Sequence, residues 1–124
     1  MPPLLHGDWT AWSGYEAGRI LTSVGKATAV FVANDQMALG VMRALHGHGR
    51  DVPADVSVVG FDDIPEAAHV TPSLTTVRQD FDLVGRNGLK LMVDQISSGQ
   101  HRHDASVIKA SLVVREGAGP ARRL

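Results

Sequence analysis

Two short polar clusters each follow a continuously apolar run. Asn34-Asp35 comes directly after residues 28–33, Thr-Ala-Val-Phe-Val-Ala, and Asp62-Asp63 directly after residues 56–61, Val-Ser-Val-Val-Gly-Phe. Apolar, β-rich runs of this length read as strands buried on both faces. Ligands of open parallel sheets bind outside the carboxyl ends of the strands. Asn34 and Asp62 are therefore expected to face one crevice. Trp9 precedes the first helical stretch, near where that crevice would open. Gln79 and Phe81 follow a third strand-like run, residues 74–78. A carboxylate accepts from two adjacent hydroxyls, an amide both donates and accepts, and indole and phenyl rings cover an apolar face. The set suits a sugar, a nucleoside or another small polyol. Plainer readings stand beside this one. Asn34 or Asp35 caps the next helix, Asp62-Asp63 before Pro65 is turn chemistry, and Trp9 is a core or surface anchor.

Helices must carry these clusters. Residues 12–24 read as a helix with Ser13 as cap, Glu16 three residues on, Tyr15, Ile20, Leu21 and Val24 as apolar positions, and Gly25 as its end. A second helix runs from Asn34 or Asp35 to about His46, stopped by Gly47 and Gly49. A third covers 82–97 and ends near Gly99, and a last strand covers 106–114. The order α-β-α-β-β-α-β predicts an α/β fold with a doubly wound parallel sheet. The second helix is apolar nearly all round. One face covers the sheet, while Leu39 and Met42 call for a second burial surface. A symmetric partner supplies one, and so does another part of the same chain.

Composition excludes several functions. A chain of 124 residues that is 44% hydrophobic and 20% charged buries one core and is not disordered. It has no cysteine, so disulfides and thiolate metal sites are excluded and a cytoplasmic location is allowed. A net charge of −1 gives no phosphate-binding surface, the only basic cluster being Arg115 with Arg122 and Arg123 at the frayed end. No apolar run spans a bilayer, and no signal peptide opens the chain. His46-Gly-His48 and His101-Arg-His103 lack the further ligands zinc needs, so no metal and no cofactor is expected. The acidic residues could be read as an acid–base pair, but no nucleophile elbow, P-loop or dinucleotide motif supports catalysis. The chain is expected not to be an enzyme.

Five segments carry a resemblance. They are Gly-Asp-Trp-Thr-Ala-Trp-Ser-Gly-Tyr at 7–15, Val-Ala-Asn-Asp-Gln-Met-Ala-Leu-Gly at 32–40, Val-Pro-Ala-Asp-Val-Ser-Val-Val-Gly-Phe-Asp-Asp at 52–63, Pro-Ser-Leu-Thr-Thr-Val-Arg-Gln-Asp-Phe at 72–81 and Ser-Leu-Val-Val-Arg at 111–115. In this order and spacing the chain resembles the lactose-repressor (LacI/GalR) family of bacterial transcriptional regulators. The resemblance implies the C-terminal lobe of a periplasmic-binding-protein-like (type I) effector domain. Asn34 and Asp62 would hold effector hydroxyls, Trp9 would wall the pocket, and Gln79 and Phe81 would lie near hinge and pocket. The second helix, with Leu39, Met42 and His46, and the segment around Glu66, His69 and Val70 would form a homodimer interface. The helix-turn-helix head that binds operator DNA and most of the first lobe would be absent from residues 1–124. The apolar side of the third helix (Leu89, Met92, Val93, Ile96) would then be exposed, and the fragment would associate or swap that helix. A sugar-binding protein of an ABC transporter shares the fold and is the alternative.

Overall fold

The computed structural model describes residues 4–101 and 107–123. The chain divides into two compact units, Met1–Arg78 with Leu112–Leu124, and Gln79–Ser111. In chain order the elements are α1 (Ala11–Val24), β1 (Ala29–Phe31), α2 (Asp35–Gly47), β2 (Ser57–Val59), a 3-10 turn (Pro65–Ala68), β3 (Thr76–Arg78), α3 (Phe81–Ser98) and β4 (Ser111–Val113). This is the expected order; β1, β2 and β3 are two or three residues shorter than expected, and the last strand starts only at Ser111. Residue 106, the expected start of the last strand, lies outside the described residues.

In the first unit β1 and β2 are parallel, with Ala29 opposite Ser57, Val30 opposite Val58 and Phe31 opposite Val59. Parallel bridges at Val59–Thr75 and Asp62–Arg78 continue the pairing towards β3, which is hydrogen-bonded to β4. Val32, Val56, Val58, Ala38, Val41, Leu45, Ala67 and Leu74 form the core between these strands and α2. β1 is not buried on both faces as expected. Val30 and Val32 turn to the core, whereas Ala29 is exposed and Phe31 is 64% exposed, its ring edge-to-face with that of Phe61 at 6.5 Å. An apolar run shows that a strand is hydrophobic on both sides, but not that both sides are covered.

A further face of the helix α2, apart from Leu39 and Met42, is covered within the chain by α1. Gly14 and Gly18 are the only buried residues of α1. A β-carbon on Gly14 would collide with the backbone of Met37, one on Gly18 with Ala44, and one on Gly40 with the backbone of Ala11 and Tyr15. Two helices whose axes come this close need glycine at the crossing, as ridges have no groove to enter otherwise. The large apolar side chains expected to hold α1 do less: Leu21 packs on the core, but Ile20 and Val24 are about half exposed. Thr10, not Ser13, caps α1. Its Oγ1 accepts from Ser13 N at 3.1 Å, and Ser13 Oγ in turn accepts from Asp8 N at 3.1 Å. A hydroxyl one turn into the helix thus reaches back to an orphan amide, leaving the cap itself to Thr10. Gly25 ends α1 in the left-handed conformation expected of it.

The second unit is α3 with its flanks. Asp80 caps it through Leu83 N at 2.9 Å, and Gly99 closes it. None of its residues is buried. Leu89, Met92, Val93 and Ile96 are 52–76% exposed, as the family resemblance implied.

Candidate functional site

The carboxyl ends of β1 and β2 are tied together by backbone. Val32 N donates to Val59 O at 2.8 Å, and Asp35 N donates to Phe61 O at 2.9 Å. This puts the starts of the Asn34 and Asp62 turns side by side, as expected for a parallel pair.

Asn34 is 4% exposed and both ends of its amide are engaged. Oδ1 accepts from Met37 N at 3.1 Å, capping α2, and Nδ2 donates to the Trp9 carbonyl at 3.1 Å. The capping alternative therefore holds for Asn34, and the same side chain anchors Trp9. Trp9 sits at φ +75°, rare for a bulky residue, with its side chain reaching solvent at 66% exposure. An Asx turn supports it: Asp8 Oδ1 accepts from Thr10 Oγ1 at 2.6 Å and Thr10 N at 3.1 Å. Those bonds from Thr10, with Ser13, hold the Asp8 carboxyl below the usual carboxylate range. Trp9 is thus neither a core residue nor loose. It is an exposed indole on a fixed backbone beside the strand ends.

Asp62 and Asp63 both have positive φ, +117° and +58°. Each such residue costs about 1–3 kcal/mol and persists only where its surroundings enforce it. Asp62 N donates to Val77 O at 2.9 Å. The Asp63 side chain is 8% exposed and pairs with two guanidiniums, Arg78 Nε at 2.6 Å from Oδ2 and Arg115 Nη1 at 2.8 Å from Oδ1. Arg115 Nη1 also donates to Leu74 O at 3.0 Å. Oδ1 has no hydrogen bond of good angle, so this second contact is an ion pair only. Burial pushes the Asp63 carboxyl up, but Arg115 and Arg78 outweigh it and leave the group below its ordinary value.

Asp35 is fully buried, and among the described residues no ion pair involves it. Its Oδ1 accepts from Thr76 Oγ1 at 2.6 Å and its Oδ2 from Ile64 N at 2.9 Å. Its position in the first turn of α2 adds the favourable end of the helix dipole.

The structure thus brings Trp9 and Asn34 into contact and sets the Asp62 turn on the adjoining strand end. Gln79 and Phe81 belong to the second unit, where Phe81 opens α3 and is 58% exposed. Sequence reasoning missed the clamp of Asp63 by Arg78 and Arg115. Arg115 is not part of a loose basic end, and Arg122 is paired too, with Asp55 at 2.6 Å. An Arg two residues after Thr76 and another two after Val113 were the available signal.

Four expected interface residues line one recess of about 500 Å³: Leu39, Met42, His46 and Val70, with Arg43 and Pro72 beside them. Met42 is only 8% exposed, so most of it already packs in the core, and Leu39 is half-buried. Glu66 and His69 are exposed on and after the 3-10 turn, where His69 N donates to Glu66 O. His48 Nδ1 lies 2.8 Å from Ala44 O, and among the described residues no three acidic or histidine side chains gather to hold a metal. His103 lies outside the described residues.

With this arrangement in view, comparison with known proteins decides the family. Residues 3–117 match the family described as a periplasmic binding protein-like domain. The chain belongs to that family. Among curated relatives, this domain is 43% identical over 111 residues to the lactose operon repressor of Escherichia coli (strain K12), covering 89% of the chain and 31% of the relative. It is 41% identical over 112 residues to the HTH-type transcriptional regulator CelR of Thermobifida fusca, covering 90% and 33%. The domain therefore spans about a third of the length of these relatives. A solved lac repressor dimer bound to operator and the anti-inducer ONPF superposes with a TM-score of 0.82 at 42% identity, over 90% of this chain and 39% of that one. A complex of CelR with cellobiose gives 0.84 at 41% identity, over 90% and 35%. These relatives are transcriptional regulators, and no helix among the described residues is long and apolar enough to cross a membrane.

Proposed function

We propose that this periplasmic-binding-protein-like domain is part of the effector-binding and dimerising region of a LacI-type transcriptional repressor. It senses a sugar or similar polyhydroxylated molecule and does no catalysis. The observation that carries this reading is an exposed indole, Trp9, held by Asn34 just after β1, with the carboxylate turn of Asp62 tied alongside just after β2. Relatives that bind operator DNA or cellobiose support it.

In this reading Asp62 accepts from hydroxyls and Trp9 covers the apolar face of the ring. Asn34 holds Trp9 from behind and offers its remaining amide hydrogen. Gln79 and Phe81 complete the pocket in the full-length protein. Effector binding shifts the balance between two arrangements of the protein, which have different operator affinity. The shift equals the difference in the effector's affinity for the two. A DNA-binding head outside this chain reaches the operator, a homodimer forms over the recess at Leu39, Met42, His46 and Val70, and the protein works in the cytoplasm. Because the relatives are regulators, this reading is favoured over a transport protein.

The test is calorimetric titration of a panel of mono- and disaccharides and nucleosides into the full-length protein. One ligand is expected to give a saturable heat. Asp62→Ala is expected to weaken that ligand by about 1–3 kcal/mol, the loss of a hydrogen bond to a charged group. Unchanged affinity in the variant removes Asp62 from the site. Absence of heat from every ligand overturns the effector reading.

A further inference from the structure

Holding the Asp62 turn is a different task from touching a ligand. The chain leaves β2 through two successive non-glycine residues at positive φ. Asp35 brackets this turn from the buried side. Its N–H donates to Phe61 O and its Oδ2 accepts from Ile64 N, both at 2.9 Å, so one residue grips the chain on either side of Asp62 and Asp63. Thr76 Oγ1 fixes the other carboxylate oxygen at 2.6 Å. Gly60 has to lack a β-carbon, because Asp35 Oδ1 lies where one would be. On the second side the Asp63 carboxylate is held by Arg78 and Arg115. Arg115 is itself pinned by Leu74 O and by a reciprocal pair with Thr75, whose Oγ1 accepts from Arg115 N at 2.9 Å and donates to Arg115 O at 3.1 Å.

We propose that Asp35 and Asp63 are positioning residues for the effector: they hold the Asp62 carboxylate in its left-handed turn, and effector affinity depends on them although neither touches the ligand. This deepens the reading of Asp62 as a hydroxyl-binding residue and rests on it. The physical reason is preorganisation. A loop already fixed in its binding conformation loses no entropy when ligand arrives, and a small misplacement of one carboxylate costs much of the affinity. Arg78 ends the first stretch of the first unit, and Arg115 follows closely on the return of the chain at Leu112. Asp63 therefore binds the effector turn to both stretches of chain that lead between the units.

The test uses Asp63→Asn and Asp63→Gly in the full-length protein. Asn and Gly both accept a left-handed backbone, so these changes remove the clamp without straining the chain. Asp35→Asn is the companion variant, and the Asp63 pair carries the test if it fails to fold. Lactose and cellobiose are titrated as probes, sugar-free operator binding and the urea midpoint are measured, and hydrogen exchange is followed over residues 60–65. The expected result is a tenfold or greater loss of sugar affinity and faster exchange confined to 61–64. Operator binding should stay close to that of the unmodified protein, and the midpoint should fall by no more than the loss of the Asp63 ion pairs accounts for. Sugar affinity within twofold of the unmodified protein overturns the proposal, as does a parallel loss of midpoint, operator binding and sugar binding, which marks a merely structural role. If neither sugar binds the unmodified protein, the effector reading fails for these sugars and exchange alone decides. Unchanged protection over 61–64 in Asp63→Gly then overturns the positioning role, and selective loss supports it.

Discussion

Asp63 shows how one carboxylate is spent inside this domain. Its two guanidinium partners lower its pKa below the usual 3.8 despite burial. The unfolded chain therefore takes up a proton at higher pH than the folded chain does. The stability contributed by the pair is present above about pH 4 and is lost as pH falls through the depressed folded value. The unmodified protein should lose urea resistance between pH 5 and pH 3 more steeply than Asp63→Asn. Equal slopes for the two would show that the clamp contributes nothing through its charge. Asn34 makes a second point at this scale. One amide caps a helix and carries Trp9, so Asn34→Ala removes two hydrogen bonds at once. It should cost about 1–2 kcal/mol in urea unfolding, typical of a lost cap.

At the scale of the element, the α1–α2 crossing depends on absent side chains. Gly40→Ala places a methyl against the backbone of Ala11 and Tyr15. It should destabilise the 124-residue chain by about 1–3 kcal/mol, the usual cost of overpacking. Gly85, inside α3 with open space around it, is the control. Gly85→Ala should stabilise by about 0.5–1 kcal/mol through helix propensity alone. Thermal unfolding of both variants checks the pair, and a gain for Gly40→Ala would mean that the helices do not cross so closely. The same crossing accounts for the nearly all-round apolar surface of α2. Met37, Gly40, Val41 and Ala44 face α1, while Ala38, Val41 and Leu45 face the core. Only the strip of Leu39, Met42, Arg43 and His46 turns to the recess.

At the scale of the whole molecule, that strip is where the proposed homodimer would be tested. Leu39→Lys adds a charge to a half-buried apolar position on the recess without altering the polar residues at the strand ends. In the full-length protein it should raise the dimer dissociation constant at least tenfold, about 1.4 kcal/mol, by sedimentation velocity. An unchanged constant would move the interface elsewhere.

The sequence by itself determined the element order and the parallel α/β class, because hydrophobic period and glycine stops are local properties. Strand ends at Asn34 and Asp62 were readable for the same reason, since a buried run must end where polar residues begin. Family membership was readable from five ordered segments. Only the tertiary structure decided what those polar residues do at close range. Nothing local tells that Asn34 reaches back 25 residues to Trp9, that Asp35 rather than Asp63 is fully buried, or that Arg115 closes on Asp63. Each of these depends on distances between segments far apart in the chain. The glycine crossing was hidden for a related reason. Gly14, Gly18 and Gly40 matter for the backbone they let approach, and a pattern of large apolar residues does not register side chains that are missing. Burial of β1 was overestimated because hydrophobicity states what a face needs, whereas coverage depends on which element lies against it.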